Sequence, residues 1–258
     1  MAARLGTEAR LCGRVGDDAL GRQLLEFWRR SGVDTRWVVV DDGPTGIYVN
    51  ERLVGGGSRF HYHRRGSAGS RLAVPDVRDD FLEGLGVLHS TGVTFAISAS
   101  AAEASRAAAH GARQRGIAVS LAVNHRPALG GDVAALAAEA RAADIVFVSL
   151  EEAGPVLGVE RPGDVVSALR GGPREVVVTT GPAGALVGAE GAVSTVAAPR
   201  VDVVDAAGAG DALAGVYLAS RLQGMAPVRA LERAVRAASL SCRAFGCALS
   251  YPDASDLP

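Results

Sequence analysis

The sequence contains no lysine: all 27 of its basic side chains are arginines. A Walker A phosphate loop, a protein-kinase ATP site and a Schiff-base enzyme each require a lysine with a defined task. The missing lysines therefore exclude these three kinds of site. Codon or genome bias accounts for arginine in place of lysine on a solvated surface, where the two residues are interchangeable. They are not interchangeable at sites where the side chain makes paired hydrogen bonds.

Other scarcities narrow the class of protein further. The formal net charge is −1, which gives no electrostatic reason to expect a nucleic acid or an anionic membrane as partner. Cys12, Cys242 and Cys247 cannot all pair, and none belongs to a Cys-x-x-Cys motif. No apolar run approaches the ~20 residues of a membrane helix, and the first residues lack the apolar core of a signal peptide. We expect a cytoplasmic protein with reduced thiols that binds a small soluble ligand.

The amino-terminal third predicts a helix followed by a hairpin. Apolar residues recur with helical spacing over residues 17–31. Residues 45–54 and 58–64 are two strand-like runs joined by three glycines, which predicts a half-exposed β-hairpin that could act as a lid. His61 and His63 alternate on one face of the second run, but no third metal ligand is evident, so we interpret them as lid or surface histidines.

The remainder of the chain alternates short apolar runs with alanine-rich segments. The predicted strands are 85–90, 117–121, 145–148 and 176–179, followed by a small hairpin at 185–187 and 192–196. The predicted helices are 101–115, 132–141, 164–170, 208–223 and 227–243. Strands and helices that alternate at this spacing indicate an α/β fold with a parallel sheet covered on both faces. With 258 residues the chain can bury a sizeable core, and we expect one domain over 1–258.

One glycine-rich segment combines the features of an anion site. Residues 199–204 read as a strand, and Gly208, Ala209 and Gly210 form a tight turn before an apolar helix that starts with Asp211. Glycines bring backbone amides close to an anion, and the helix start adds free N–H donors. Asp211 then stands where a general base for a hydroxyl would belong. The alternative is a plain linking turn in which Asp211 only caps the helix.

The segment 205–211, Asp-Ala-Ala-Gly-Ala-Gly-Asp, resembles the second signature of the ribokinase-like (phosphofructokinase B) carbohydrate kinases, Asp-Thr-x-Gly-Ala-Gly-Asp. Other similar stretches follow the family's order along nearly the whole chain: 13–21, 31–35, 45–48, 62–64, 66–68, 124–126, 151–152, 181–184 and Gly246. The resemblance implies a ribokinase-like three-layer αβα fold with a mostly parallel central sheet and a small β lid. It also implies that Asp211 is the base and that the amides of residues 208–210 form the anion hole.

Within the family, residues 45–48, 62–70 and 124–127 resemble 2-keto-3-deoxygluconate kinases more than ribokinases or fructokinases. Carried over, this resemblance implies that an acidic sugar is bound by Tyr48, Tyr62, Arg64, Asn124 and Arg126. Arg126 would meet the carboxylate or the transferring phosphate, since a guanidinium makes paired hydrogen bonds with either. Simple sheet packing remains the alternative for Tyr48, and a solvated hairpin position for Arg64.

The resemblance also implies a nucleotide side of the site. The family's loop beside the nucleotide resembles Thr180, Gly181 and Gly184 of this sequence. Gly208 and Gly210 are expected to contact the nucleotide as well. Glu152 stands where the family has a glutamate that helps to organise magnesium and phosphate through water. A glutamate that starts a helix can also be only a partner of the helix dipole. ATP and Mg²⁺ are the cofactors that the resemblance implies, with the magnesium brought by the nucleotide.

The expected activity is ATP-dependent phosphorylation of the terminal hydroxyl of a small sugar or sugar acid, first of all 2-keto-3-deoxygluconate to its 6-phosphate. The alternatives are another sugar kinase of the family, of ribokinase or fructokinase type, and a non-catalytic truncated homologue. The family's first signature, a Gly-Gly stretch with a following asparagine, is absent, so we expect the chain to begin inside the following helix, one strand short. The resemblance further implies a homodimer that pairs through the lid at about 45–64.

Overall fold

The structure is a computed structural model that describes residues 1–53 and 58–257, apart from the side chains of Arg52 and Ser58. The strands β1 to β10 are Ala9–Gly16, Val33–Asp41, Ile47–Arg52, Ser58–His63, Val87–Thr91, Ala118–Ala122, Ile145–Ser149, Glu175–Thr179, Ala185–Ala189 and Ala192–Val196. The helices α1 to α9 are Ala19–Arg30, Asp79–Leu82, Gly92–Ile97, Ala99–Gln114, Val133–Ala142, Leu150–Leu157, Pro162–Ala168, Ala209–Leu222 and Pro227–Ser241.

The strands form three sheets. The central sheet has six strands in the order β10-β9-β8-β7-β6-β5. Strands β5 to β8 run parallel, and β9 and β10 continue the sheet as an antiparallel hairpin. Strands β1 and β2 form a separate parallel pair, and β3 and β4 form the antiparallel hairpin of the lid. Within the described ranges β1 pairs only with β2 and β5 only with β6, so no strand ladder joins the first pair to the central sheet.

Helices cover both faces of the central sheet. Successive strand residues point to opposite faces, so Ile145 and Phe147 pack with α8 and α9, while Val146 and Val148 pack with α5, α6 and α7. A third cluster of buried apolar side chains packs α4 against β5 and β6, and it includes Trp37 of β2. The predicted α/β architecture, with helices around a mostly parallel sheet, is confirmed.

The local predictions agree closely with these elements. The helix predicted at 17–31 is α1, whose start is capped by Asp18, with the amide of Gly21 donating to its carboxylate at 2.7 Å. The hairpin predicted at 45–64 is β3 and β4, and its predicted glycine turn at 55–57 lies outside the described residues. The remaining predicted helices and strands each lie within a few residues of an observed one.

The strand predicted at 199–204 is wrong. These residues, all described, form neither a strand nor a helix. The amides of Val204 and Asp205 donate instead to the carbonyl of Cys242, at 2.8 and 3.1 Å. The end of α9, and not a neighbouring strand, therefore accepts the amides at the carboxyl end of this segment.

A buried ion pair fixes α8 against the sheet. Glu175 in β8 is 4% exposed, and it accepts hydrogen bonds from Tyr217 at 2.7 Å and from Arg221 at 2.8 Å. Both partners lie on α8. A buried carboxylate is tolerated when it is paired and hydrogen-bonded in this way. The carboxyl-terminal half of α8 is therefore held against β8.

Among the helices of the described part of the chain, none combines the length and the apolar character needed to cross a bilayer.

Candidate active site

Helix α8 begins with amide groups that no side chain caps. Gly208 precedes it in a left-handed conformation, with φ of 82°, which glycine adopts without the steric cost of a Cβ. No side chain of the described residues caps it there, and the N–H groups of Gly210 and Asp211 in the first turn have no intrahelical acceptor. Within the described ranges, no neighbouring atom lies within 4 Å of the point where a Cβ of Gly210 would stand. This uncapped helix start beside open space fits an anion such as a phosphate group.

Asp211 lies in the first turn of α8. Among the described residues its carboxylate makes no hydrogen bond or ion pair. The side chain is open to solvent, yet the protein that surrounds it desolvates the carboxyl and raises its pKa, against the opposing effect of the Arg126 charge. A free carboxylate with a raised pKa is suited to take a proton from a hydroxyl group.

Two loops at the carboxyl edge of the central sheet bring Arg126 and Glu152 together. Asn124 follows β6 with φ of 40°, and its side-chain amide donates to Thr91 Oγ1 at 3.1 Å, which holds the start of the loop. Arg126 donates to Glu152 Oε1 at 3.0 Å. Glu152 Oε2 accepts the amide of Ser149 at 3.2 Å, in a capping box that starts α6. Each oxygen of Glu152 thus accepts one hydrogen bond from the protein, and each keeps a lone pair with which it can accept a second bond from water.

The lid places three aromatic rings on one face, which we call its inner face. Tyr48 and Tyr62 are cross-strand partners with ring centroids 6.2 Å apart, and Phe60 stacks on Tyr62. The guanidinium of Arg64 lies 5.6 Å from the centroid of each tyrosine ring, and its buried Nε has no hydrogen-bond partner among the described residues. Burial and the contact with Cys247 raise the pKa of Tyr48 to about 12. The inner face meets the chain after α9 at this contact, where Tyr48 Oη lies 3.7 Å from Cys247 Sγ.

A cleft of about 1120 Å³ adjoins the start of α8. Gly181 and Gly184, from the loop after β8, line it together with Gly210 and with Val235 of α9. Thr180 does not line the cleft; its hydroxyl donates to the carbonyl of Gly184 at 3.0 Å and closes the loop. Ligand pockets are commonly about 300–1000 Å³, so the cleft is large enough for a nucleotide.

The structure therefore groups the predicted residues in two halves that meet at the start of α8. The lid, Arg126 and Asp211 form one half, and the loop after β8 forms the other. In the described part of the chain, no group of three or more histidine, cysteine, aspartate or glutamate side chains is placed to hold a metal ion. His61 instead lies 2.8 Å from Glu51 of the neighbouring strand.

Two residues that the sequence did not single out for the site also border it. Tyr48 Oη lies 3.7 Å from Cys247 Sγ, and Tyr251 Oη donates to the carbonyl of Gly208 at 3.2 Å. Cys247 is 199 residues from Tyr48 along the chain, and neither residue belongs to a motif that points to chemistry. No signal in the sequence alone places them there.

Comparison with known proteins gives consistent matches along the chain. A family profile described as pfkB family carbohydrate kinase matches residues 1–254. The 2-dehydro-3-deoxygluconokinase of Thermoproteus tenax is 39% identical over 252 residues, which cover 93% of this chain and 75% of that protein.

Solved structures agree with the sequence matches. The PfkB protein from Polaromonas sp. JS666 is 31% identical with a TM-score of 0.85, over 95% of this chain and 83% of that one. The aminoimidazole riboside kinase from Salmonella enterica, complexed with aminoimidazole riboside and an ATP analog, is 27% identical with a TM-score of 0.87, over 98% and 86% of the two chains.

Proposed function

Because the chain belongs to the pfkB family of carbohydrate kinases, which are phosphotransferases, we propose that it transfers the γ-phosphoryl group of ATP to the terminal hydroxyl of 2-keto-3-deoxygluconate. The product is the 6-phosphate. The observation that carries the proposal is the free carboxylate of Asp211 in the first turn of an uncapped helix. The T. tenax relative is named after the same sugar acid, as a 2-dehydro-3-deoxygluconokinase, which supports the choice of substrate.

In the proposed mechanism Asp211 accepts the proton of the terminal hydroxyl while that oxygen bonds to the γ-phosphorus. The bond from this phosphorus to the bridging oxygen of ADP breaks, and Asp211 later releases its proton to solvent. The amides of Gly208 and Gly210 hold the charge of the transferring phosphoryl group. The Ala209 amide joins them when its hydrogen bond to the carbonyl of Ala206, 3.2 Å long in the structure, opens. Phosphoryl transfer needs little beyond such positioning and charge stabilisation. Magnesium, bound with the nucleotide, supplies further neutralisation of the phosphate charges.

The two halves of the site are assigned to the two substrates. The cleft beside Gly181 and Gly184 takes the nucleotide, with its phosphates directed at the start of α8. The inner face of the lid takes the sugar, with Tyr48, Tyr62 and Arg64 against its hydroxyl groups. Arg64 Nε, buried without a partner in the described part of the chain, gains one from a sugar oxygen. Asn124 holds the loop of Arg126, and Glu152 acts on magnesium only indirectly.

Arg126 is proposed to bind the sugar carboxylate, and its replacement tests the choice of substrate. Hydrogen bonds to charged groups contribute about 1.5–3 kcal/mol, so Arg126→Gln should lower kcat/KM for 2-keto-3-deoxygluconate by about 10- to 100-fold. For a neutral sugar such as fructose the loss should be several-fold smaller. Both values are measured as ADP release with saturating ATP and magnesium.

Arg141→Gln is the matched control, because Arg141 is an exposed arginine in the last turn of α5. It should leave both values unchanged. Equal losses for the acidic and the neutral sugar would contradict the carboxylate contact. A parent chain that phosphorylates fructose or ribose faster than the sugar acid would favour the fructokinase or ribokinase alternative.

We also propose that the chain acts as one domain over residues 1–258 and that it works in the cytoplasm. Two copies of the chain are further proposed to pair through their lids. The outer face of the lid carries Ile47 and Val49, which are 42% and 51% exposed, and the nearby end of β2 carries Val40, which is 52% exposed. Exposed apolar side chains of this kind are typical of interaction surfaces. Sedimentation equilibrium measures the pairing directly, and a mass of one chain at all concentrations would contradict it.

A further inference from the structure

The chain after α9 folds back over the start of α8. Residues 246–251, which we call the carboxyl-terminal turn, lie against the segment that leads into the anion hole. The amide of Gly246 donates to Asp205 Oδ2 at 3.4 Å, and Asp205 Oδ1 accepts the amide of Ala207 at 3.1 Å. The turn is therefore tied to the backbone immediately before Gly208.

The carboxyl-terminal turn also contacts Gly208 itself. Tyr251 Oη donates to the Gly208 carbonyl at 3.2 Å. A Cβ placed on Gly208 would lie 2.8 Å from Cys247 Cβ and 3.2 Å from Tyr251 Oη, so both side chains touch the glycine backbone. Burial raises the pKa of Tyr251, which keeps its hydroxyl protonated and able to donate throughout the neutral range.

The same turn reaches the lid. Cys247 Sγ lies 3.7 Å from Tyr48 Oη, so this one side chain contacts both the lid and the anion hole. Arg4 donates to the carbonyl groups of Tyr251 and Ala248 and anchors the other side of the turn. The turn therefore stands between two parts of the site that are far apart in sequence.

We propose that Tyr251 is a positioning residue that holds the Gly208 peptide in its left-handed conformation, and that Cys247 seats Tyr48 of the lid against it. The Gly208 carbonyl accepts the amide of Ala212 at 2.8 Å as the first bond of α8, and the Tyr251 hydroxyl is its second donor. The two bonds together fix the direction of this carbonyl and the orientation of the amide in the same peptide group. The position of the lid over the sugar and the orientation of the anion-hole amides are thereby linked. As far as turnover is concerned, the inference rests on the proposed kinase function.

Tyr251→Phe tests the proposal by removing only the hydroxyl. Loss of one hydrogen bond that orients the anion hole should lower kcat by about 3- to 10-fold, with KM for the sugar within twofold of the parent. The amides of residues 206–210 should also exchange hydrogen faster, because their segment opens locally more often. Exchange is measured by mass spectrometry on the ligand-free chain and does not depend on activity.

Tyr217→Phe is the matched control, because it also removes a hydroxyl that anchors α8, but at the far end, where the partner is Glu175. It should lower thermal stability without changing kcat or the exchange at 206–210. If Tyr251→Phe behaves in the same way, or leaves everything unchanged, the positioning role is wrong. If the parent chain transfers no phosphate, the proposed kinase function fails separately, and the exchange comparison still decides the role of Tyr251.

Discussion

Replacing Asp211 by asparagine should lower kcat by about 10²- to 10⁴-fold, the usual contribution of a general base. Asparagine keeps the size of the side chain but cannot accept the proton of the sugar hydroxyl. KM for ATP and for the sugar should stay within a few-fold of the parent, because the helix start and the lid are unchanged. The measurement is ADP release with each substrate varied in turn.

The stability of the Asp211→Asn variant separates loss of chemistry from loss of folding. The surrounding protein desolvates Asp211 and raises its pKa. The stability that protonated Asp211 provides is therefore lost as the pH rises through that pKa, and above it the ionised carboxylate lowers the stability of the fold. The neutral amide should therefore leave Tm unchanged or slightly higher. Asp164→Asn is the matched control, because Asp164 is an exposed acid in the first turn of an uncapped helix. A rate within a few-fold of the parent would rule out Asp211 as the base.

Gly208→Ala should both destabilise the chain and slow phosphoryl transfer. An alanine at φ of 82° costs about 1–2 kcal/mol. Its Cβ would also lie 2.8 Å from Cys247 Cβ, and such overpacking costs a further ~1–3 kcal/mol. Relief of the contact moves the anion-hole amides, and a displacement of about 1 Å can cost roughly 10²-fold in rate. We therefore expect a fall of about 10²-fold in kcat, with a lower unfolding midpoint in urea.

Gly224→Ala provides the control for backbone strain. Gly224 also has φ of 82°, just beyond the other end of α8, but no neighbouring atom of the described residues lies within 4 Å of its Cβ position. This variant should show only the strain of the left-handed backbone and keep the parent kcat. If the two alanine variants lose equal stability and equal activity, contact with the carboxyl-terminal turn has no bearing on the anion hole.

The sequence predicts the helices and buried strands well wherever local signals agree with the packing. Asp18, Ser98 and Asp132 each cap a helix with a side-chain hydrogen bond, which is a signal that can be read in the sequence. The runs at 145–148 and 176–179 are apolar on both faces because helices cover both sides of their sheet. Local chemistry and tertiary structure coincide at these places.

Strand β1 was not predicted as a strand, because its charged residues are satisfied by distant partners. Arg14 in the middle of β1 looks like a surface residue, but it pairs with Asp41 at 2.7 Å and with Asp76 at 2.7 Å. These carboxylates are 7% and 8% exposed in their side chains. Only the folded chain reveals that the arginine is held in a nearly buried ion network.

The residues of the candidate site also fall into a group that the sequence predicts and a group that it does not. Asp211 and its glycines form a contiguous motif, so the sequence alone predicts them. Cys247 and Tyr251 reach the site through the turn after α9, and their importance depends on contacts with residues about 40 and 200 positions away. Contacts over such separations leave no periodicity or spacing in a single sequence.

The pH dependence of kcat/KM for 2-keto-3-deoxygluconate, at saturating ATP and magnesium, tests Asp211 as the general base most directly. Product is best followed by phosphorus NMR, because coupling enzymes have pH limits of their own, and circular dichroism checks folding at each pH. Since Asp211 must be ionised to act and burial raises its pKa, kcat/KM should fall about tenfold per pH unit on the acid side. The fall should begin well above the pKa of about 3.9 of a solvated aspartate. A rate that stays constant down to about pH 4, in protein that is still folded, would contradict the assignment.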